Sequence, residues 1–313
     1  MCIALLTTTH PSYALILLSN RDEYLSRPTA RAHFWDEPNT HVLGGRDLQR
    51  PIRGTWLGIT RHGRIAILTN YREQGADYSG LKSRGGIVNA FLTLPPGSEE
   101  TTEGFAERLV AGGVSDVGGF SLVFGTLRQG DVGLGVLSNR TTVVGGMQWL
   151  MQGQGQTVGL SNSFFGDRSW PKVVMGESML EKAVKESVKA EESKEELIER
   201  GLRLLSTDTL PKRNDGESFE TYIGQLRHSI FIPRIGGDGP ERKSADEVAA
   251  ADSETSASSM QGKYATQKQT VVLVDHKGHV TFVERTTFDE HGNEVPESQA
   301  KETFKFDIEG WDL

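Results

Sequence analysis

Two pairs of short apolar runs, one near each end of the sequence, restrict this chain to a fold built on paired strands. Cys2 to Leu6 is apolar, Thr7, Thr8 and Thr9 follow, His10-Pro11-Ser12 has turn chemistry, and Tyr13 to Leu18 is apolar again. Towards the other end, Gln269 to Asp275 and Val280 to Arg285 flank Lys277-Gly278. Runs of this length around turn residues read as hairpins of buried strands. Between the two pairs the period changes. Strands alternate with turns as far as Tyr71, and Trp56 between Gly54 and Gly58 is expected to be buried against the first hairpin. Arg84 to Leu92 and Thr102 to Ala111 read as helices, and Phe120 to Phe124, Val132 to Leu137 and Thr157 to Leu160 as strands. Trp170-Pro171 opens a longer helical region in which Leu180, Val184 and Val188, spaced by four, are expected to bury one face. Ser193-Lys194-Glu195-Glu196 is a capping-box pattern, and the helix it restarts runs through Ile198, Leu202 and Leu205. Glu302 to Trp311 reads as a closing edge strand. Strands first, helices between and strands last describe an α+β chain.

Composition narrows the partners. A net charge of −8 argues against a broad nucleic-acid or anionic-membrane footprint. No apolar run approaches the ~20 residues of a membrane span. The apolar start lacks a basic leader and is interrupted by His10 and Pro11, so it is expected to be a strand pair rather than a signal peptide. Gly236 to Gly262 has no aromatic residue and is rich in Ser, Ala, Asp and Glu. Such a stretch cannot offset its ordering entropy and is expected to be a disordered insert at 236–262 in a single domain spanning 1–313.

The one cysteine in 313 residues is Cys2, directly behind Met1. A single cysteine forms no internal disulfide, which fits a reducing compartment. Removal of Met1 sets a thiol beside its own α-amine, which titrates near pH ~8 against ~8.5 for the thiol. That amine then serves as the built-in base of an N-terminal nucleophile. A free cysteine also commonly fills a small apolar gap, and the position alone leaves both readings open. Asn20-Arg21-Asp22-Glu23 closes the second apolar run. The hairpin turns this polar cluster back towards Cys2, and its groups suit either a solvated turn or a built polar site. Asn70 and Asn162 each follow a strand-like run, where asparagine serves turns as well as pockets. Gly153, Gly155 and Gly159 lack the strand-loop-helix setting of a dinucleotide site, and His276 and His279 lack further ligands for zinc.

Taken together, Cys2-Ile3, Asn20-Arg21-Asp22-Glu23, Ser26-Arg27-Pro28, Phe34-Trp35, Gly54-Thr55-Trp56-Leu57-Gly58-Ile59, Leu68-Thr69-Asn70-Tyr71, Arg84-Gly85-Gly86, Gly119-Phe120-Ser121-Leu122, Ser138-Asn139-Arg140, Gly159-Leu160-Ser161-Asn162 and Val271 to Arg285 resemble the NRDE family, also called the transport and Golgi organisation protein 2 family. The resemblance covers the chain except the insert. The family in turn is distantly similar to N-terminal nucleophile hydrolases of the choloylglycine hydrolase and penicillin V acylase kind. It therefore implies a four-layer αββα sandwich of largely antiparallel sheets. On that likeness Cys2, Arg21, Asp22, Asn70 and Asn162 are the catalytic candidates, and Asn20, Glu23, Arg27, Tyr71 and Lys268 the ligand-binding ones. Those hydrolases space their Arg and Asp apart, whereas Arg21 and Asp22 are adjacent.

The resemblance carries two functional classes. One is a thiol amidase, thioesterase or acyltransferase using Cys2. The other is a handler of an amphipathic ligand such as haem, acyl-CoA or a lipid, tied to Golgi organisation, secretion and lipid homeostasis. It implies no required cofactor, no metal, a cytoplasmic location with Golgi or mitochondrial association, and peripheral membrane contact. The chain departs from the family at Tyr264-Ala265-Thr266-Gln267, where the family pattern reads Tyr-Gly-Thr-Arg. If that Arg anchors an anionic ligand, this chain is expected either to bind it more weakly or to use the adjacent Lys268, a poorer bidentate partner.

Overall fold

In the computed structural model, which describes residues 2–70, 83–113, 117–130, 133–141, 143–151, 155–214, 216–236 and 262–312, two antiparallel sheets lie face to face. Strands β1 (Ile3–Thr7) and β2 (Tyr13–Tyr24) form the first hairpin. The chain then builds a second sheet in sequence order from β3 (Thr29–Phe34), β4 (Val42–Asp47), β5 (Leu57–Thr60), β6 (Arg64–Asn70), β7 (Phe120–Thr126), β8 (Leu134–Ser138) and β9 (Gln148–Leu150). It returns to the first sheet with β10 (Thr157–Leu160), β11 (Tyr264–Asp275), β12 (His279–Thr286) and β13 (Lys301–Asp307). The order there is β10-β1-β2-β11-β12-β13, so β13 is the edge strand expected at the tail.

Side-chain alternation makes the layers. Leu15 and Leu17 of β2 pack between the sheets with Ile59, Ile67 and Val123, whereas Ile16 and Leu18 pack on the outer face. Helices α1 (Arg84–Leu92) and α2 (Thr102–Ala111) cover the second sheet through Val88, Phe91 and Phe105. Helices α3 (Pro171–Lys189) and α4 (Lys194–Leu205) cover the first through Leu180, Val184 and Leu202. The result is the four-layer αββα sandwich. Each fully buried aliphatic or aromatic side chain contributes about 1.5–3 kcal/mol to it. Helix α3 comes close to the sheet because Gly176 faces Leu5, and a Cβ there would lie 2.8 Å from a Leu5 methyl. The Ser193–Glu196 capping box is formed.

Two expectations, on Val188 and on Trp56, need correction. Leu180 and Val184 are buried, but Val188 is 40% exposed, because the buried stripe of α3 continues through Ala183 and Ser187 and leaves Val188 beside it. The polar cluster forms the end of strand β2, as expected. The strand continues to Tyr24 because β11 pairs with it along its whole length, from Tyr13↔Asp275 to Tyr24↔Tyr264. Trp56 is half-buried rather than fully enclosed. The bulk of the insert, 237–261, lies outside the described residues.

Candidate active site

Register brings the catalytic candidates to one end of the sandwich. β1 pairs with β2 as Ile3↔Asn20 and with β10 as Ala4↔Leu160. Continued towards the chain start, these registers set Cys2 level with Arg21 on one side and Asn162 on the other. The Cys2 thiol donates to the Asp22 carbonyl oxygen across 3.8 Å. The Cys2 carbonyl accepts from the Ser161 hydroxyl at 2.6 Å, and the Ser161 carbonyl accepts from the Thr69 hydroxyl at 2.8 Å. The Asn162 amide nitrogen donates to the Asn70 carbonyl. Thr69 and Asn70 end β6, so these bonds tie the second sheet to the first beside Cys2.

The Asn20–Glu23 cluster divides between two environments because successive strand residues face opposite ways. Arg21 faces the space between the sheets. It is 5% exposed, its Nη1 donates to Gln267 Oε1 at 2.7 Å, and its guanidinium lies 4.5 Å from the centre of the Trp56 ring. That stacking is a cation–π contact. Glu23 Oε2 stands 3.9 Å from Arg21 Nη2 and 3.9 Å from Arg27 Nε, and Arg27 holds Asp47 at 2.7 Å. Asn20 and Asp22 face the helices. Asn20 Nδ2 donates to the carbonyls of Leu205 and Ile230, both at 2.8 Å. Asp22 Oδ1 accepts from the Thr266 hydroxyl at 2.7 Å, and Oδ2 lies 3.7 Å from the ammonium of Lys172.

Cys2, Arg21, Asp22, Asn70 and Asn162 are thus linked through neighbouring strands. Asn20 lies on the helix face with its amide engaged, and Lys268 is held elsewhere. The Lys268 ammonium donates to Thr286 Oγ1 at 2.7 Å and pairs with Glu284 at 3.7 Å, while Glu284 accepts from the Ala32 N–H at 2.9 Å. Lys268 therefore belongs to a buried ion pair that joins the sheets. Gln267, at the position of the missing Arg, is what meets Arg21. Tyr71 lies outside the described residues.

Electrostatics at Cys2 are mixed. Burial pushes the thiol above its usual range and the Asp22 carboxylate adds to that, while Arg21 draws it down. Burial pushes Lys172 below the usual lysine range, against the pull of Asp22. Sequence reasoning passes over Lys172 and the hydroxyls of Ser161 and Thr69, and notes Thr266 and Gln267 only as part of a departure from the family pattern. Ser161 and Thr69 stand in quoted motifs next to the asparagines. Lys172, one residue into a helix, looks like an ordinary surface lysine.

The family model for Transport and Golgi organisation 2 matches residues 1–289. The chain belongs to this family. A Transport and Golgi organization protein 2 homolog from Bos taurus is 32% identical over 278 residues, spanning 88% of this chain and 87% of that protein. The Homo sapiens homolog is 30% identical over 89% of this chain and 88% of its own length. Among solved structures, the Caenorhabditis elegans N-acylethanolamine-hydrolyzing acid amidase ortholog matches 97% of this chain and 100% of that one, with 11% identity and a TM-score of 0.40. At that identity and score the likeness says nothing of this chain's chemistry. No helix among the described residues is long and apolar enough to cross a membrane, and they hold no cluster of three or more His, Cys, Asp or Glu side chains suited to a metal ion.

Proposed function

We propose that this protein serves transport and Golgi organisation by handling an amphipathic acyl compound, and that Cys2 is its chemical means. The observation that supports this reading most is the convergence of the Cys2 thiol, Arg21 and the Asn70–Asn162 pair at the ends of β1, β2, β6 and β10. With Met1 removed, the α-amine takes the thiol proton and the thiolate attacks the carbonyl carbon of an amide or thioester. The C–S bond forms, and charge collects on the former carbonyl oxygen. Asn162 donates one N–H to Asn70, and its amide nitrogen carries a second that suits this oxyanion. The C–N or C–S bond to the leaving group then breaks, and the leaving group takes the proton held by the amine. Water, or an acceptor thiol, releases the acyl group from Cys2.

Acyl-CoA suits this chemistry among the amphipathic ligands, since its thioester offers a carbonyl to attack. Haem offers no amide or thioester, its propionate carboxylates resist thiolate attack, and it would be carried rather than converted. The test is intact mass spectrometry of the purified chain, which first reads whether Met1 is retained. The Met1-free protein is then incubated with palmitoyl-CoA. An acyl adduct on Cys2 with release of free CoA, absent in Cys2→Ala, is the expected result. Palmitoyl-CoA binding that is unchanged in Cys2→Ala, with no adduct at any time, would refute the thiol chemistry and leave a carrier.

A further inference from the structure

We infer that Lys172 is a positioning residue of this site: its ammonium offsets the Asp22 carboxylate from the helix face of the sheet, so that a thiolate can form at Cys2. The inference rests on Cys2 as the reacting thiol. Lys172 occupies the first turn of α3 and is fully buried. Lysine is almost never fully buried unless paired, and its Nζ lies 3.7 Å from Asp22 Oδ2. The same Asp22 supplies the carbonyl that the Cys2 thiol contacts. One residue therefore carries a carboxylate on the helix face and an acceptor towards the thiol.

A buried carboxylate this close opposes a second negative charge. The charged groups that act on Cys2 are Asp22, which disfavours the thiolate, and Arg21 and the chain's α-amine, which favour it. Arg21 is already shared between Gln267 and Glu23. Burial works against the charge on Lys172, while Asp22 and Cys2 both favour it. Lys172 and Asp22 together are neutral, and ionisation of Cys2 next to the pair adds one charge where Asp22 alone would make two. The Trp170 ring centre lies 5.9 Å from the ammonium, a cation–π contact that favours the charged lysine.

The test reads the thiol itself, so it holds whether or not Cys2 turns over a substrate. Iodoacetamide alkylation of Cys2 is followed by mass spectrometry from pH 6 to 10, on protein of one N-terminal state. Lys172→Met is expected to shift the alkylation profile to higher pH and to slow the reaction at neutral pH about tenfold or more, one pKa unit being one decade of thiolate. Lys172→Arg, which keeps the charge, is expected to restore most of the rate. Asp22→Asn combined with Lys172→Met removes both charges and is expected to return the rate to within about threefold of the parent. A Lys172→Met variant with a native circular dichroism spectrum and an unchanged profile would overturn the inference. So would a double variant as slow as the single one. If Lys172→Met fails to fold, the double variant decides alone: a parent-like profile supports the pairing and a tenfold loss overturns it.

Discussion

Replacing Asn20 by Asp separates a structural role for this side chain from a ligand-binding one. Asn20 has no solvent exposure, and its amide spans from β2 to the last residue of α4 and to Ile230. The Asp side chain has the same shape and loses both donors. An ionised carboxylate would face two carbonyl oxygens, so the folded state keeps it protonated and recovers one bond. The other carbonyl loses its donor, at a cost of about 1–3 kcal/mol whatever the pH. A second penalty depends on pH. The unfolded chain ionises this carboxyl near pH ~3.9, while the folded chain holds its proton to a much higher pH. The unfolded state then binds fewer protons, so stability falls as pH rises, by about 1.4 kcal/mol per unit until the folded pKa is passed. Between pH 5 and 7 the variant should lose nearly 3 kcal/mol, roughly, relative to the parent. Urea midpoints of both proteins at pH 5, 6 and 7 measure this directly. A stability difference that is flat with pH, or below about 1 kcal/mol at pH 7, would show that the amide does not tie these segments together.

Other outcomes follow from named contacts. Glu284→Leu leaves the Lys268 ammonium buried without its carboxylate and should cost about 3–5 kcal/mol, whereas Glu284→Leu with Lys268→Met should recover most of that in thermal denaturation. Gly278 has φ +82, and a Cβ there would lie 2.6 Å from the Trp311 ring. Gly278→Ala should therefore lower stability by about 2–4 kcal/mol, from left-handed backbone strain plus displacement of the indole. Val188→Lys should be neutral within about 0.5 kcal/mol at its exposed position, while Val184→Lys one turn earlier should unfold the chain or nearly so. Equal effects at the two valines, read by circular dichroism melting, would contradict the burial described for α3.

Much of the architecture was legible because it follows from periodicity. The hairpin of β1 and β2, the closing hairpin of β11 and β12, the capping box at Ser193 and the edge strand at the tail all rest on local chemistry. The site was legible only as far as the two hairpin strands carry it. The turn returns the Asn20–Glu23 cluster to Cys2, but only alternation within a continuing strand separates Arg21 from Asn20 and Asp22. That continuation depends on β11, whose partner residues lie far away in sequence. The same distance hid Lys172, which is buried because Asp22 waits for it on the sheet. In the sequence, the missing Arg makes Lys268 a candidate ligand anchor. Its partner Glu284 lies across the closing hairpin, and in the sequence alone it is one more charge in a strand. Val188 follows a spacing of four, which at 3.6 residues per turn drifts off the buried stripe, and Ser187 takes the buried place instead.

The pairing of β2 with β11 sets a schedule for synthesis. Residues 13–24 leave the ribosome early, and their partner, residues 264–275, leaves near the end. Until then the long strand β2 has one open edge, although the second sheet and helices α3 and α4 that cover Leu15 to Leu18 are already made. Non-local pairing of this kind folds slowly and leaves the growing chain prone to association. The surroundings of Cys2 are thus finished last although Cys2 is made almost first. A ribosome that stops before residue 262 releases a chain with an unmatched strand edge, a form fit for chaperones or proteases rather than for work.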